Sequence, residues 1–176
     1  MAKVVEGWIT RGGKHIPIYS KELTEDLTVY HGGPRVEKVH GERAFFTTTS
    51  KQLAQDYSNK GELQTFKLKK GSSYYELDMQ GKNWSQAYKQ FEKAEGGLTE
   101  GQEKFLKQMP RDQLRGIAEL MRQKGYDILK VKDVTDPKGV YVPGKPHLPL
   151  DAKVDEYIVL NPKCIVKMKK GLSDGK

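Results

Sequence analysis

Apolar and polar residues fall along this chain in short blocks, each with its own period. Trp8-Ile9-Thr10 and His15-Ile16-Pro17-Ile18 flank Arg11-Gly12-Gly13-Lys14. Gly-Gly is a favoured two-residue turn, so residues 7–19 predict a short hairpin. Pro17 lacks a ladder donor and belongs on an edge. Leu27-Thr28-Val29-Tyr30 predicts a strand ended by His31-Gly32-Gly33-Pro34, and Ala44-Phe45-Phe46-Thr47 a second short one. Ser50 is placed to cap a helix through Leu53, Ala54 and Tyr57, which Asn59-Lys60-Gly61 stops. Gln64-Thr65-Phe66-Lys67-Leu68-Lys69 alternates as a half-buried strand does, and Tyr74-Tyr75-Glu76-Leu77 starts another.

The period then changes. Residues 84–124 are helical in character: Leu114, Ile117, Ala118 and Met121 recur at helical spacing, Gly96-Gly97 and Pro110 break the run, and Gly125 ends it. Tyr126-Asp127-Ile128-Leu129-Lys130-Val131 reads as a strand. Residues 135–153 hold four prolines and two glycines and predict a long loop. Glu156-Tyr157-Ile158-Val159-Leu160 begins the next strand, closed by Asn161-Pro162, and Ile165-Val166-Lys167-Met168 is a last short one. Strands joined by short turns, with most helix gathered in the middle, indicate an α+β domain, and nothing reads as alternating βαβ units. The organisation expected is a hairpin appendage at 1–22, one domain at 23–172 and a disordered tail at 173–176.

Composition narrows the class. A chain of 176 residues suits one domain and can bury on the order of two-thirds of its unfolded surface. No stretch approaches the roughly 18 apolar residues of a membrane span, and the N-terminus carries no apolar core of a signal peptide. The single cysteine, Cys164, cannot close an intramolecular disulfide, which fits a reducing, cytoplasmic setting. The formal charge of +8 favours anionic partners, with lysines clustered at 67, 69 and 70 and at 163, 167, 169 and 170. Simple solubility explains such an excess equally well. No Walker-type loop or Gly-x-Gly-x-x-Gly turn is present, which argues against P-loop and Rossmann nucleotide sites.

Four places carry candidate chemistry. His31 ends a strand before two glycines, where backbone can approach a ligand closely; alone it also reads as an ordinary turn. Phe45 and Phe46 must point to opposite faces of their strand, one to the core and one half-exposed. Tyr57 shares its helix with Leu53 and Ala54 and reads as core or as an aromatic wall. Glu156 follows the longest loop, as a solvated strand-end carboxylate or as a catalytic one.

Taken in order, Tyr30-His31-Gly32-Gly33, Ala44-Phe45-Phe46-Thr47-Thr48-Thr49-Ser50 through Tyr57, and Asp155-Glu156-Tyr157-Ile158-Val159 resemble the ADP-ribosyltransferase superfamily. The resemblance is to its His-Tyr-Glu branch, which includes diphtheria toxin and the poly-ADP-ribose polymerases. It implies a split antiparallel β-sheet core with a helical middle segment, and NAD as substrate with no metal. It implies that His31 bonds a ribose hydroxyl and that the Gly32 backbone grips the nicotinamide carboxamide. Tyr57 would stack on the nicotinamide with Phe45 opposite, and Glu156 would bind the ribose 2′-hydroxyl. Phe46, Thr47 and Ser50 complete the implied NAD-binding set, with Glu156, His31 and Phe45 as the catalytic residues. Phenylalanine stands where the family often has tyrosine, and the spacing to Tyr57 allows Phe45 and Phe46 to exchange roles. The Arg-Ser-Glu branch would need an arginine in place of His31, and often Gln or Glu in place of Val154.

The hairpin looks like segments of bacteriophage head-associated proteins that carry such domains, which implies a phage-encoded toxin acting in a host cytoplasm. The expected activity is mono-ADP-ribosyl transfer to a host protein or nucleic acid by a monomer without membrane partners. The alternatives are an NAD glycohydrolase and a non-catalytic phage structural or inhibitory module.

Overall fold

The computed structural model describes residues 3–34, 36–41, 43–58, 62–109, 113–136, 148–149 and 151–168. The helix stop at 59–61, Pro110, most of the long loop and the C-terminal tail lie outside them. β1 (Val5–Arg11) and β2 (Lys14–Tyr19) form the expected hairpin as a separate two-stranded sheet, with Trp8 opposite Pro17. Gly12 and Gly13 both take positive φ, as a tight hairpin turn of this hand requires. The next strand, β3 (Lys21–Glu22), already belongs to the main sheet.

That sheet contains β4 (Leu27–Gly33), β5 (Phe45–Thr48), β6 (Glu62–Leu68), β7 (Ser73–Asp78), β8 (Ile128–Thr135), β9 (Lys153–Val159) and β10 (Ile165–Lys167). Helix α1 (Lys51–Ser58) follows β5, and α2 (Ala87–Ala94), α3 (Glu100–Lys107) and α4 (Gln113–Gln123) lie between β7 and β8. The strand order is β10-β6-β4-β5-β9-β8-β7-β3. The fold is therefore mixed α+β around a sheet-dominated core. It departs from the antiparallel expectation at one place, since β7 and β8 pair in parallel. Parallel neighbours need a long crossover, and the helical middle supplies it. Gly96 and Gly97, both at positive φ, break that middle after α2, and Thr99 opens α3 with a reciprocal capping box to Gln102.

Register assigns side chains to faces. Phe46, Thr48, Glu156, Ile158 and Val131 share one face, against which α2 and α4 pack through Phe91, Ile117 and Met121. Phe45, Tyr157 and Val159 share the other with Val29, Phe66 and Cys164. Cys164 is fully buried, and burial pushes its thiol up to about 12, so it is inert. Asp127 ties the ends of three strands together by accepting from Ser73 and Asn161.

Two boundaries differ from the sequence reading. β4 runs on through His31 to Gly33, because β6 continues to pair with it as far as Glu62. β9 begins at Lys153 and not at Glu156, because Lys153 and Val154 pair with Thr135 and Val134. Glu156 consequently sits inside a strand. The sheet is also weakly joined: β4 pairs with β6 along its whole length but with β5 only at Tyr30–Thr48. Beyond that pair the two halves separate.

Candidate functional site

The separation of β4 from β5 opens into a cleft of about 1200 Å³. His31 and Gly32 of β4 line it, as do Phe45 to Thr48 of β5 and Leu53, Ala54 and Tyr57 of α1. Trp84, Leu114 and Arg115 reach it from the helical middle, and Asp136 and Glu156 from β8 and β9. Lys38, His40 and Arg43 of the β4–β5 connection form its outer wall.

His31 acts where the ladder fails. Its Nδ1 lies 2.7 Å from the carbonyl oxygen of Phe46. A carbonyl only accepts, so Nδ1 carries the hydrogen and Nε2 is left as an acceptor. Burial lowers the pKa of His31, against the opposing pull of that hydrogen bond, so the ring is neutral at pH 7. The imidazole stacks on Phe45 at 4.3 Å between centroids, and Phe45 packs edge-on against Phe66. Phe45 thus lies largely in the core, with one ring face already covered. Phe46, on the opposite face of the sheet, is half-buried, and the guanidinium of Arg115 sits 4.9 Å from its ring centre.

Gly32 is a glycine for a structural reason. A β-carbon there would come within 1.7 Å of the Ala54 carbonyl oxygen, so α1 lies directly on the strand backbone. This contact seats the helix and delivers Tyr57 to the cleft. Leu53 and Ala54 are buried while Tyr57 keeps 40% of its surface exposed. Its hydroxyl donates to Asp136 Oδ1 at 2.7 Å.

The Thr-Thr-Thr-Ser run holds the frame. Thr47 Oγ1 donates to the Tyr157 carbonyl and Thr48 Oγ1 to that of Asp155, fastening β5 to β9. Ser50 Oγ accepts from Leu53 N and caps α1 as expected, and Ser50 is not among the residues facing the cleft. Of the residues singled out from sequence, His31, Gly32, Phe45, Phe46, Thr47, Tyr57 and Glu156 come together there.

Glu156 is 5% exposed, and its Oε2 receives no hydrogen bond from any described residue. Burial, then the negative charge of Asp136 and a hydrogen bond with it, raises its pKa well above the usual carboxylate range. Two acids bond only through a shared proton, so the site favours the protonated form of Glu156 beside Asp136. Asp136 escaped the sequence reading, and so did Trp84 and Arg115. No pattern within residues 128–136 marked Asp136, because its face is set by the pairing of β8 with β9.

No family model, curated protein or solved structure matches this chain. The cleft and the residues that line it are what bear on function. Among the described residues, no group of His, Cys, Asp and Glu is placed to hold a metal, and no helix is long and apolar enough to cross a membrane.

Proposed function

We propose that this protein cleaves NAD in the cleft between β4 and β5 and transfers the ADP-ribose to a macromolecule. One observation carries the reading: three short motifs resembling those of the His-Tyr-Glu transferases, two near residues 30–57 and one at 155–159, converge on one cleft where β4 and β5 separate. The resemblance implies a split sheet, and the single β4–β5 pair supports the reading. The cleft volume accommodates a dinucleotide, being slightly above the usual range of small-molecule pockets.

In this reading Nε2 of His31 accepts from a ribose hydroxyl. The nicotinamide ring lies against Tyr57, and Phe46 is the better second wall, because it shares the face of Glu156 while Phe45 is covered by His31. Breaking the nicotinamide–ribose bond builds positive charge on the ribose, in an oxocarbenium-like state. Glu156, ionised once NAD is bound, holds the 2′-hydroxyl and stabilises that charge more in the transition state than in the ground state. The cationic nicotinamide itself favours loss of the Glu156 proton. Water is kept from the leaving ring by the aromatic walls.

A basic strand edge bears on the acceptor. Lys67 of β6 and Lys163, just before β10, are exposed on neighbouring chain segments, with Lys69 and Lys70 following β6. Such an edge attracts phosphate backbones, so nucleic acid is the preferred acceptor over protein.

The test is incubation of the purified chain with radiolabelled NAD and a bacterial lysate, followed by separate protease and nuclease digestion. Release of nicotinamide with label retained on a macromolecule supports transfer, and the digestion that frees the label names the acceptor class. Nicotinamide release without retained label would make the protein an NAD glycohydrolase. Absence of both NAD binding and nicotinamide release would overturn the proposal in favour of a non-catalytic module.

A further inference from the structure

We propose that Asp136 is a positioning residue of this cleft: it shares one proton with Glu156 and anchors the Tyr57 ring through its hydroxyl. The inference rests on the NAD-cleaving reading for its consequence, but on geometry for its existence.

The geometry begins with an irregularity in β8. Val131 pairs with Glu156, yet the next pair is Val134 with Val154, so β8 spends one more residue than β9 between them. Asp133 takes positive φ within this bulge, and its N–H donates to Asp155 Oδ1 at 2.9 Å. Strand side chains alternate between faces, so one extra residue inverts every position that follows. Val131 and Val134 consequently both face the helical core, and both are buried there. Continued past Thr135, the alternation puts Asp136 on the face of Glu156. Without the bulge it would point to the opposite face. The structure thus uses a positive-φ residue to turn a second acid to the face of a buried first one, a pattern typical of functional sites.

The surrounding groups define what the pair can do. From α1, Tyr57 donates to Asp136. From β9 itself, Asp155 is turned away to the bulge, and Tyr157 lies on the other face with Lys130. His31 of β4 and Arg115 of α4 line the same cleft. Among the described residues, Asp136 is therefore the acid standing next to Glu156, and burial leaves them little solvent to separate their charges. Two consequences follow for the reaction. Glu156 becomes the required carboxylate only above the pH at which the pair gives up its shared proton. Tyr57, although partly exposed, is held in one orientation for a stacked ring.

The test uses the full chain as wild type, Asp136→Asn, Asp136→Ser, Glu156→Gln and Tyr57→Phe, with circular dichroism to confirm folding. Carboxyl ¹³C NMR follows the side-chain acids with pH, and nicotinamide release is measured across the same range. In Asp136→Asn the Glu156 titration is expected to move to lower pH, and the acid limb of kcat/KM to move with it. Tyr57→Phe is expected to raise the KM for NAD, by up to about tenfold, with the limb little changed. Glu156→Gln identifies the Glu156 carboxyl signal by its loss, and Asp136→Ser, expected to move the Glu156 titration to lower pH as well, holds the proposal to account if Asp136→Asn does not fold. A Glu156 titration identical in wild type and in the folded Asp136 variant overturns the proposal. A Glu156 titration that moves in the Asp136 variant, in a protein that releases no nicotinamide, would support the shared proton and overturn the NAD-cleaving reading instead.

Discussion

Replacing Glu156 with glutamine is expected to stabilise the fold at neutral pH while removing the reaction. The carboxyl is buried, its Oε2 lacks a donor, and Asp136 stands beside it. In the unfolded chain a glutamate titrates near ~4.3. Below that pH both states hold the proton, and Glu156 contributes no pH dependence. Between that value and the raised folded one, the unfolded chain ionises while the folded protein stays protonated, so stability falls as pH rises. Above the folded value the whole penalty is present. Glutamine has no ionisation, keeps nearly the same shape and can donate an N–H toward Asp136. Each tenfold by which folding disfavours ionisation of the carboxyl costs about 1.4 kcal/mol above the folded value, and glutamine is free of that penalty. For a domain of this size each kcal/mol moves Tm by about 2–4 °C. Glu156→Gln should therefore raise Tm by on the order of 5 °C at about pH 8, with the gain closing by about pH 4. Thermal unfolding followed by circular dichroism over that range measures it directly. A gain independent of pH, or a loss at pH 8, would refute the reasoning about burial and charge. In the same variant nicotinamide release should fall on the order of 100-fold or more, since one well-placed electrostatic group is lost. Retention of more than a tenth of the wild-type rate would remove Glu156 from its catalytic role.

Three other outcomes are expected. His31→Ala and Tyr57→Ala should each weaken NAD binding by about tenfold in calorimetry while the proteins stay folded, because both side chains meet parts of NAD bound before the bond breaks; unchanged affinity in both would displace the proposed pocket. Gly32→Ala should destabilise by about 1–3 kcal/mol or more, since the added carbon meets the α1 backbone and not a flexible side chain, and a denaturant midpoint equal to wild type would contradict the packing. A Gly/Ser replacement of residues 141–149, most of which lie outside the described residues, should abolish transfer to the acceptor but leave slow hydrolysis of NAD; this segment holds Tyr141, Pro143, Lys145, Pro146, His147 and Pro149 and, with Pro137 and Lys138, leads from Asp136 toward β9. Equal loss of both rates would assign the loop to the NAD site, and no loss would move acceptor choice elsewhere.

What the sequence made legible follows the range of the forces involved. The hairpin turn at Gly12-Gly13, the Ser50 cap and the break at Gly96-Gly97 are local events, fixed by backbone conformation within a few residues, and all three stand where the pattern put them. Alternation in β6 and helical spacing in α4 were legible because each element buries a single face. The parallel β7–β8 pair was not, because pairing is a tertiary choice and the crossover read only as a helical stretch. Glu156 looked like a strand start because Lys153 and Val154 have little apolar pattern of their own; the ladder to β8 makes them strand. Asp136 was invisible for the same kind of reason. Its face is set by an extra residue in a partner strand, and no periodicity in residues 128–136 announces that.

The cleft and the stability of the fold are linked at the Tyr30–Thr48 pair. A continued β4–β5 ladder would join β4 to β5 with backbone hydrogen bonds and leave no cleft. Instead the pairing stops, and side chains do the fastening: His31 reaches the Phe46 carbonyl, and two threonine hydroxyls bind β5 to β9 on its other side. Exchanging ladder bonds for side-chain bonds leaves one histidine nitrogen and the edge of β4 facing the cleft, where a ligand can use them. Gly32 allows α1 to close on that same edge, bringing Tyr57 over the acids. Each of these choices sacrifices local regularity, and they fall within a few residues of the strand separation. Natural sequences break their own local rules chiefly where function demands it. A broken ladder, a positive-φ aspartate in a bulge and a buried acid with one oxygen undonated all lie at or beside one cleft. Their coincidence supports the proposal that this cleft is a working site.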